Sequence, residues 1–234
     1  MEELRRTSTM TGALSTASVY MRHVYYWMTV GLVLTAAAAW FVAGNPAVYN
    51  VILGNTVGLV VMAIAVIALP MVLSGMISRL SAGAATALFV LYSALMGAFL
   101  SSVLLVYTGT SVISAFAITA GTFAAMSVYG TFTKRDLTSM GSFLMMGLFG
   151  VLIAMLVNIF WQNSVLHFVI SAVCVIVFTG LTAFDTQKLL RFGAGAPVDD
   201  AVAMRRGALL GALTLYLDFI NLFLAILRIM GDRR

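Results

Sequence analysis

Residues 208–230 read ALLGALTLYLDFINLFLAILRIM, an apolar run with one aspartate, Asp218, near its middle. At about 1.5 Å per residue, a helix of this length clears the ~30 Å hydrocarbon core of a bilayer. A carboxylate at that depth costs at least ~2.5–3.5 kcal/mol even on the lenient insertion scale. The run also has a period. Gly207, Gly211, Thr214, Asp218, Asn221 and Ala225 follow one another at steps of four or three, with leucines and phenylalanines between them. That spacing predicts a helix with one small, polar stripe turned toward protein or water.

The same composition extends through the chain. Charged residues make up 9% of the 234 and hydrophobic residues 62%, whereas soluble domains carry about 25% charged residues. Mean hydropathy is +1.06. The chain is therefore expected to be an all-α, multi-pass membrane protein. Windows of membrane length give seven apolar runs: Val24–Ala43, Ile52–Ile77, Gly83–Val106, Val112–Phe132, Leu137–Phe160, Val165–Leu190 and Ala208–Met230. Short loops join them and make sequential helices antiparallel neighbours. The exception is Arg191–Gly207, which holds Gly193, Gly195, Pro197, Asp199 and Asp200 and is expected to be an exposed loop. Pro70 falls inside the second run, where a kink is expected. The domain reading is a polar tail over residues 1–23, one membrane domain over 24–230, and a short basic tail over 231–234. The first run lacks a cleavage site after it and is expected to remain as the first span.

Basic residues orient the spans. Arg5, Arg6 and Arg22 precede the first span; Arg79, then Lys134 and Arg135, then Lys188, Arg191, Arg205 and Arg206 follow the second, fourth and sixth. Loops after the first, third and fifth spans contain no Lys or Arg. A cytoplasmic N-terminus follows. Seven crossings would place the C-terminus outside, yet Arg228, Arg233 and Arg234 stand there. Either a basic tail is tolerated on that side or the last segment turns back partway, and a full crossing is the expectation. Ser93, Gly97 and Ser101 in the third span, with Gly147 and Gly150 in the fifth, are small residues at helical spacing and predict close helix packing. Trp27, Trp161, Tyr25 and Tyr26 fall near span ends, where aromatic anchors belong.

A second membrane aspartate, Asp185, lies in the sixth run, on an approximate face with Ser171, Cys174 and Thr182. The remaining acids are Glu2, Glu3, Asp136, Asp199, Asp200 and Asp232, all outside the runs. Measured from the cytoplasmic ends, Asp185 is about one and a half turns deep and Asp218 about three, at ~5.4 Å per turn. Antiparallel helices bring the two within reach, although depth alone leaves them a turn or more apart. Neighbouring buried carboxyls tend to share one proton and titrate as a unit. Arg79 is the candidate counter-charge for Asp185. A buried ion pair with a purely structural role is the alternative. Calcium takes about 6–8 oxygens. Asp185, Asp218, Asn221, Thr214, Thr182 and backbone carbonyls form a sparse set, suited to weak, transient binding along a permeation path.

Other chemistries are excluded by residue type. A lone cysteine, Cys174, permits neither an intrachain disulfide nor a cysteine-based zinc site. The only lysines, Lys134 and Lys188, lie at loops, so a retinal Schiff base in the last span is ruled out. Neither aspartate stands in a GxGD context of the kind intramembrane aspartyl proteases use. His23 and His167 fall at opposite faces and cannot share a metal or haem. No phosphate loop, zinc motif or serine-hydrolase motif is present. An enzyme is not expected, nor a tightly bound cofactor, nor nucleic-acid binding, since the basic residues are dispersed between spans.

At the aspartates, Leu181-Thr182-Ala183-Phe184-Asp185-Thr186-Gln187-Lys188-Leu189 and Leu215-Tyr216-Leu217-Asp218-Phe219-Ile220-Asn221-Leu222-Phe223-Leu224 resemble the signature segments of the Bax inhibitor-1 (transmembrane Bax inhibitor motif) family. Lys134-Arg135-Asp136-Leu137 fits as well. The similarity runs along essentially the whole chain and is to the bacterial inner-membrane branch of YccA/YbhL-like proteins. This resemblance implies a seven-helix bundle with the last helix central, and a pH-sensitive calcium leak. Asp185 and Asp218 would sense protons and gate the path, and Arg79 would latch onto Asp185. Permeating calcium and protons, rather than a resident cofactor, would be the ligands. The alternative that the resemblance permits is a non-conducting regulator that binds another membrane protein, such as a quality-control protease.

Overall fold

The computed structural model describes residues 2–196 and 200–234, with side chains from Ser15 onward. The side chains of Glu2, Glu3, Arg5 and Arg6, and the loop residues Pro197 and Asp199, lie outside the described residues. Eight helices follow in chain order: α1 (Glu2–Ala43), α2 (Pro46–Ile52), α3 (Thr56–Met76), α4 (Ala82–Val106), α5 (Gly109–Phe132), α6 (Thr138–Trp161), α7 (Ser164–Ala194) and α8 (Ala201–Met230). Seven are long and apolar enough to cross a membrane, α2 being the exception. Among the described residues there is no strand, only an isolated bridge between Tyr107 and Arg233.

The spans expected from hydropathy are all present, with different ends. The polar N-terminal stretch is helical and continuous with the first span. What was expected to be a loop from Gly44 contains α2, a short helix with Asn45 at its N-cap and Pro46 opening its first turn. The second apolar run consequently starts as helix at Thr56, where the Asn55 side chain accepts from Gly58 N at 2.7 Å. Pro70 sits inside α3, and the helix continues through it. The expected loop Arg191–Gly207 is mostly helix: α7 persists to Ala194 and α8 begins at Ala201. Hydropathy windows report the lipid-buried stretch, and the backbone goes on pairing beyond it.

The chain packs as two units, Met1–Val106 with Leu189–Tyr216, and Tyr107–Lys188 with Leu217–Arg234. In the first, α1 packs along α4. Gly97 makes this possible, because a Cβ there would run into Thr35 O of α1. Ser93 and Ser101 are fully buried on the same stripe, as their spacing predicted. Thr35 Oγ1 bridges Ser93 O at 2.9 Å and the Tyr216 hydroxyl at 2.6 Å. Around it, Trp27, Phe89, Tyr216 and Tyr92 meet edge to face, ring centroids 5.8–6.4 Å apart.

In the second unit, Phe116 and Phe123 of α5 pack on Phe219 at 5.4 and 5.6 Å. Gly130 of α5 lies against the Ala183 backbone of α7, and Gly141 of α6 lies against the Phe184 ring. Gly147 also packs, 3.3 Å from Val177 by its virtual Cβ, whereas Gly150 is exposed with nothing near it. The packing role expected for Gly150 is therefore absent.

Helix α8 is the most enclosed span, with 72% of its membrane window buried against 11–44% for the others. Burial is uneven around it. Leu209, Ala212, Leu215 and Leu222 are fully buried, whereas Gly207, Leu210, Thr214, Leu217, Asn221 and Leu224, at steps of three and four, form a half-buried stripe, so three of the six small or polar positions lie on the more open face. The helix is unbroken over 30 residues, about 45 Å at 1.5 Å per residue, long enough for a full crossing. Its C-terminal end reaches the α4–α5 junction, where Thr108 N donates to Asp232 O at 3.0 Å.

Candidate functional site: a buried carboxyl pair

Asp185 on α7 and Asp218 on α8 belong to the same unit, are 9% and 5% exposed, and have their carboxyls within hydrogen-bonding reach of each other. The offset in depth expected from the sequence does not keep them apart. Counted from the observed ends, Ala194 and Ala201, Asp218 is still the deeper along its helix, so the two carboxyls meet through the stagger of the helices and not through equal depth. Asp218 Oδ2 is buried, and no N–H or hydroxyl reaches it. Two ionised carboxylates in contact would leave that oxygen facing another acceptor. A single proton between the two groups would supply the missing donor.

Three polar side chains a turn from the aspartates bond within their own helices. Thr182, one turn before Asp185, donates its hydroxyl to Phe178 O at 2.8 Å. Thr214 donates to Leu210 O at 3.1 Å, and Asn221 Nδ2 to Leu217 O at 2.8 Å. All three side chains expected to extend a polar path therefore spend a donor on their own helices; the two threonines keep only oxygen lone pairs to offer, and Asn221 keeps its carbonyl oxygen and a second N–H. Among the described residues there is no cluster of three or more His, Cys, Asp or Glu side chains that could hold a metal.

Within the same unit, a cation lies on the helix that carries Asp185. Lys188, one turn along α7, acts electrostatically on Asp185, with its Nζ 5.8 Å from the Phe184 ring centroid. Arg79 is exposed in the turn after α3 and belongs to the other unit. The three-residue spacing from Asp185 to Lys188 was the available signal, since i,i+3 side chains are neighbours on a helix.

Gln187 is a second residue without an assigned role in the sequence. Its Oε1 accepts from Leu137 N at 2.9 Å, and its Nε2 donates to Arg135 O at 2.8 Å. One buried amide thus fastens the Lys134–Leu137 segment to α7 two residues from Asp185. Beside it, Thr186 Oγ1 reaches Ser127 Oγ at 3.5 Å. These contacts, with Gly130 against Ala183, fix α7 against α5 where the carboxyl emerges.

Comparison with known proteins agrees with this arrangement of motifs. The family model for "Inhibitor of apoptosis-promoting Bax1" matches residues 17–234. The inner membrane protein YbhL of Escherichia coli K12 is 49% identical over 234 residues, the whole of both chains. An uncharacterized protein of Borreliella burgdorferi is 44% identical over 92% of each chain, and one of Deinococcus radiodurans is 42% identical over all of this chain and 98% of its own. The seven candidate spans and the inner-membrane relative together support a multi-pass inner-membrane protein. The chain belongs to the Bax inhibitor-1 family.

Proposed function

We propose that the protein is a passive, pH-sensitive cation leak, with calcium as the permeating ion and the Asp185–Asp218 pair as its gate. The observation that carries this reading is the pair itself: two membrane-depth carboxyls in contact, one with an oxygen that lacks a donor. A proton held between them keeps the two helices together. Its loss puts two negative charges side by side in a low-dielectric site, where like charges repel strongly. Opening the helices relieves the repulsion and exposes oxygens that a passing cation can use. Thr182, Thr214 and Asn221 then contribute lone pairs, and water completes the shell. Arg79 and Lys188 are the candidate basic groups for holding Asp185 in the closed state, with Lys188 favoured by its position on the same helix turn.

The N-terminus is cytoplasmic in this proposal, following the basic loops. No catalysis and no resident cofactor are invoked. The competing reading is a non-conducting regulator that binds another membrane protein, a protease included. Its support is that Thr214 and Asn221 each already spend a donor on their own helix.

Calcium entry into dye-loaded liposomes separates the two. Protein-dependent entry above that of empty liposomes, rising as pH is raised through the range in which the pair loses its proton, supports the leak. Folded protein that never exceeds the empty control supports the regulator.

A further inference from the structure

A cavity of about 710 Å³ lies in the second unit at the α6–α7 junction, and neither Asp185 nor Asp218 lines it. Asn158 and Asn163 line it from the junction, Ser164 from the first turn of α7, His167 from the next, and Arg228 and Arg233 from the end of α8 and the segment after it. No Asp or Glu lines it. The backbone holds Arg233 in place: Thr108 N donates to Asp232 O, and Asp232 N donates to Ser111 Oγ at 3.0 Å. Its guanidinium stands 6.0 Å from the Tyr107 ring centroid, a cation–π contact that uses no N–H donor and leaves its fork for a ligand.

These arginines include two of the three that stood against the charge pattern of the spans. Every other loop on that side is free of Lys and Arg, so a basic pair there needs a counter-charge. We propose that the cavity binds the phosphate of an anionic phospholipid headgroup. Arginine's fork of N–H groups matches phosphate oxygens, and amide and hydroxyl groups of Asn158 and Ser164 suit a glycerol-type headgroup. The volume is in the range of small-ligand sites. A lipid, rather than free phosphate, is favoured by the flank of the cavity. Ile159 and Phe168 line it and are 64% and 55% exposed, and the neighbouring Trp161 is 77% exposed. That apolar edge, at the level where spans end, is where acyl chains would lie. The site is independent of the proposed gate, and either can fail without the other.

The test uses the full-length protein in phosphatidylcholine nanodiscs doped with phosphatidylglycerol, with bound lipid counted by native mass spectrometry. Removing both charges in Arg228→Gln/Arg233→Gln should weaken phosphatidylglycerol retention about thirtyfold, taking each basic group near the surface at its usual worth. Arg22→Gln, an exposed basic residue elsewhere, should leave retention unchanged. Ser164→Glu places a carboxylate in the cavity at a helix N-terminus, where acids favour folding, and should also abolish retention. Inorganic phosphate should not displace the lipid. Equal retention of phosphatidylglycerol and phosphatidylcholine by the wild type, or undiminished retention in both pocket variants, overturns the proposal. Displacement by inorganic phosphate alone overturns the lipid assignment.

Discussion

Replacing Gln187 by leucine keeps the volume near Asp185 and removes both hydrogen bonds to the 135–137 backbone. The two losses are unequal. Leu137 is buried at 4% exposure, so its N–H is left without partner or water, a loss of about 1–3 kcal/mol. Arg135 is exposed, so its carbonyl can turn to solvent, and losing that bond costs about 0.5–1.5 kcal/mol. Together they predict a destabilisation of roughly 1.5–4.5 kcal/mol. Gln187→Glu, which retains an acceptor for Leu137 N but no donor for Arg135 O, should fall between leucine and the wild type. Unfolding titrations in mixed detergent–SDS micelles would measure the series, with exposed Lys134→Gln as the reference, expected within about 0.5 kcal/mol of wild type. If Gln187→Leu is as stable as Lys134→Gln, the amide does not hold the segment and the account of how α7 is positioned is wrong.

Gly97→Leu should abolish folded yield, because Thr35 O is backbone and cannot move aside, while Gly121→Ala, with nothing within 4 Å, should be neutral or stabilising by up to about 1 kcal/mol; size-exclusion profiles in detergent distinguish them. Thr35→Val strands the Tyr216 hydroxyl and should cost about 1–3 kcal/mol in the same micelle titration. Lys188→Gln should change the pH dependence of calcium entry more than Arg79→Gln does; the reverse order would restore the arginine latch. A cysteine placed at Arg234 should react with a membrane-impermeant thiol reagent from outside intact cells, and labelling only after lysis would contradict the proposed topology.

Much of this fold could be read from hydropathy, because lipid demands long apolar helices and leaves few alternatives. Helix ends could not. The residues of α2 and the extensions to Ala194 and from Ala201 are only moderately apolar, and nothing in lipid solvation marks them. Pro46 after Asn45 was a usable start signal for α2. The aspartates stood out because their burial is costly, yet their contact depended on helix stagger, which sequence depth does not report. Gln187 gave no signal, since its partners are backbone atoms 50 and 52 residues away. The arginine cavity had one signal, the violation of charge asymmetry at Arg228 and Arg233, and its meaning needed the α6–α7 junction brought against the end of α8.

The central claim is that the contact between Asp185 and Asp218 controls permeation. Calcium entry into proteoliposomes, stepped from pH 5 to pH 8 for wild type, Asp185→Asn and Asp218→Asn, tests it directly. An asparagine preserves shape and supplies a permanent donor to the remaining carboxyl. The account predicts pH-dependent entry in the wild type and loss of that dependence in each single variant. Wild-type pH dependence persisting unchanged in both variants would contradict it.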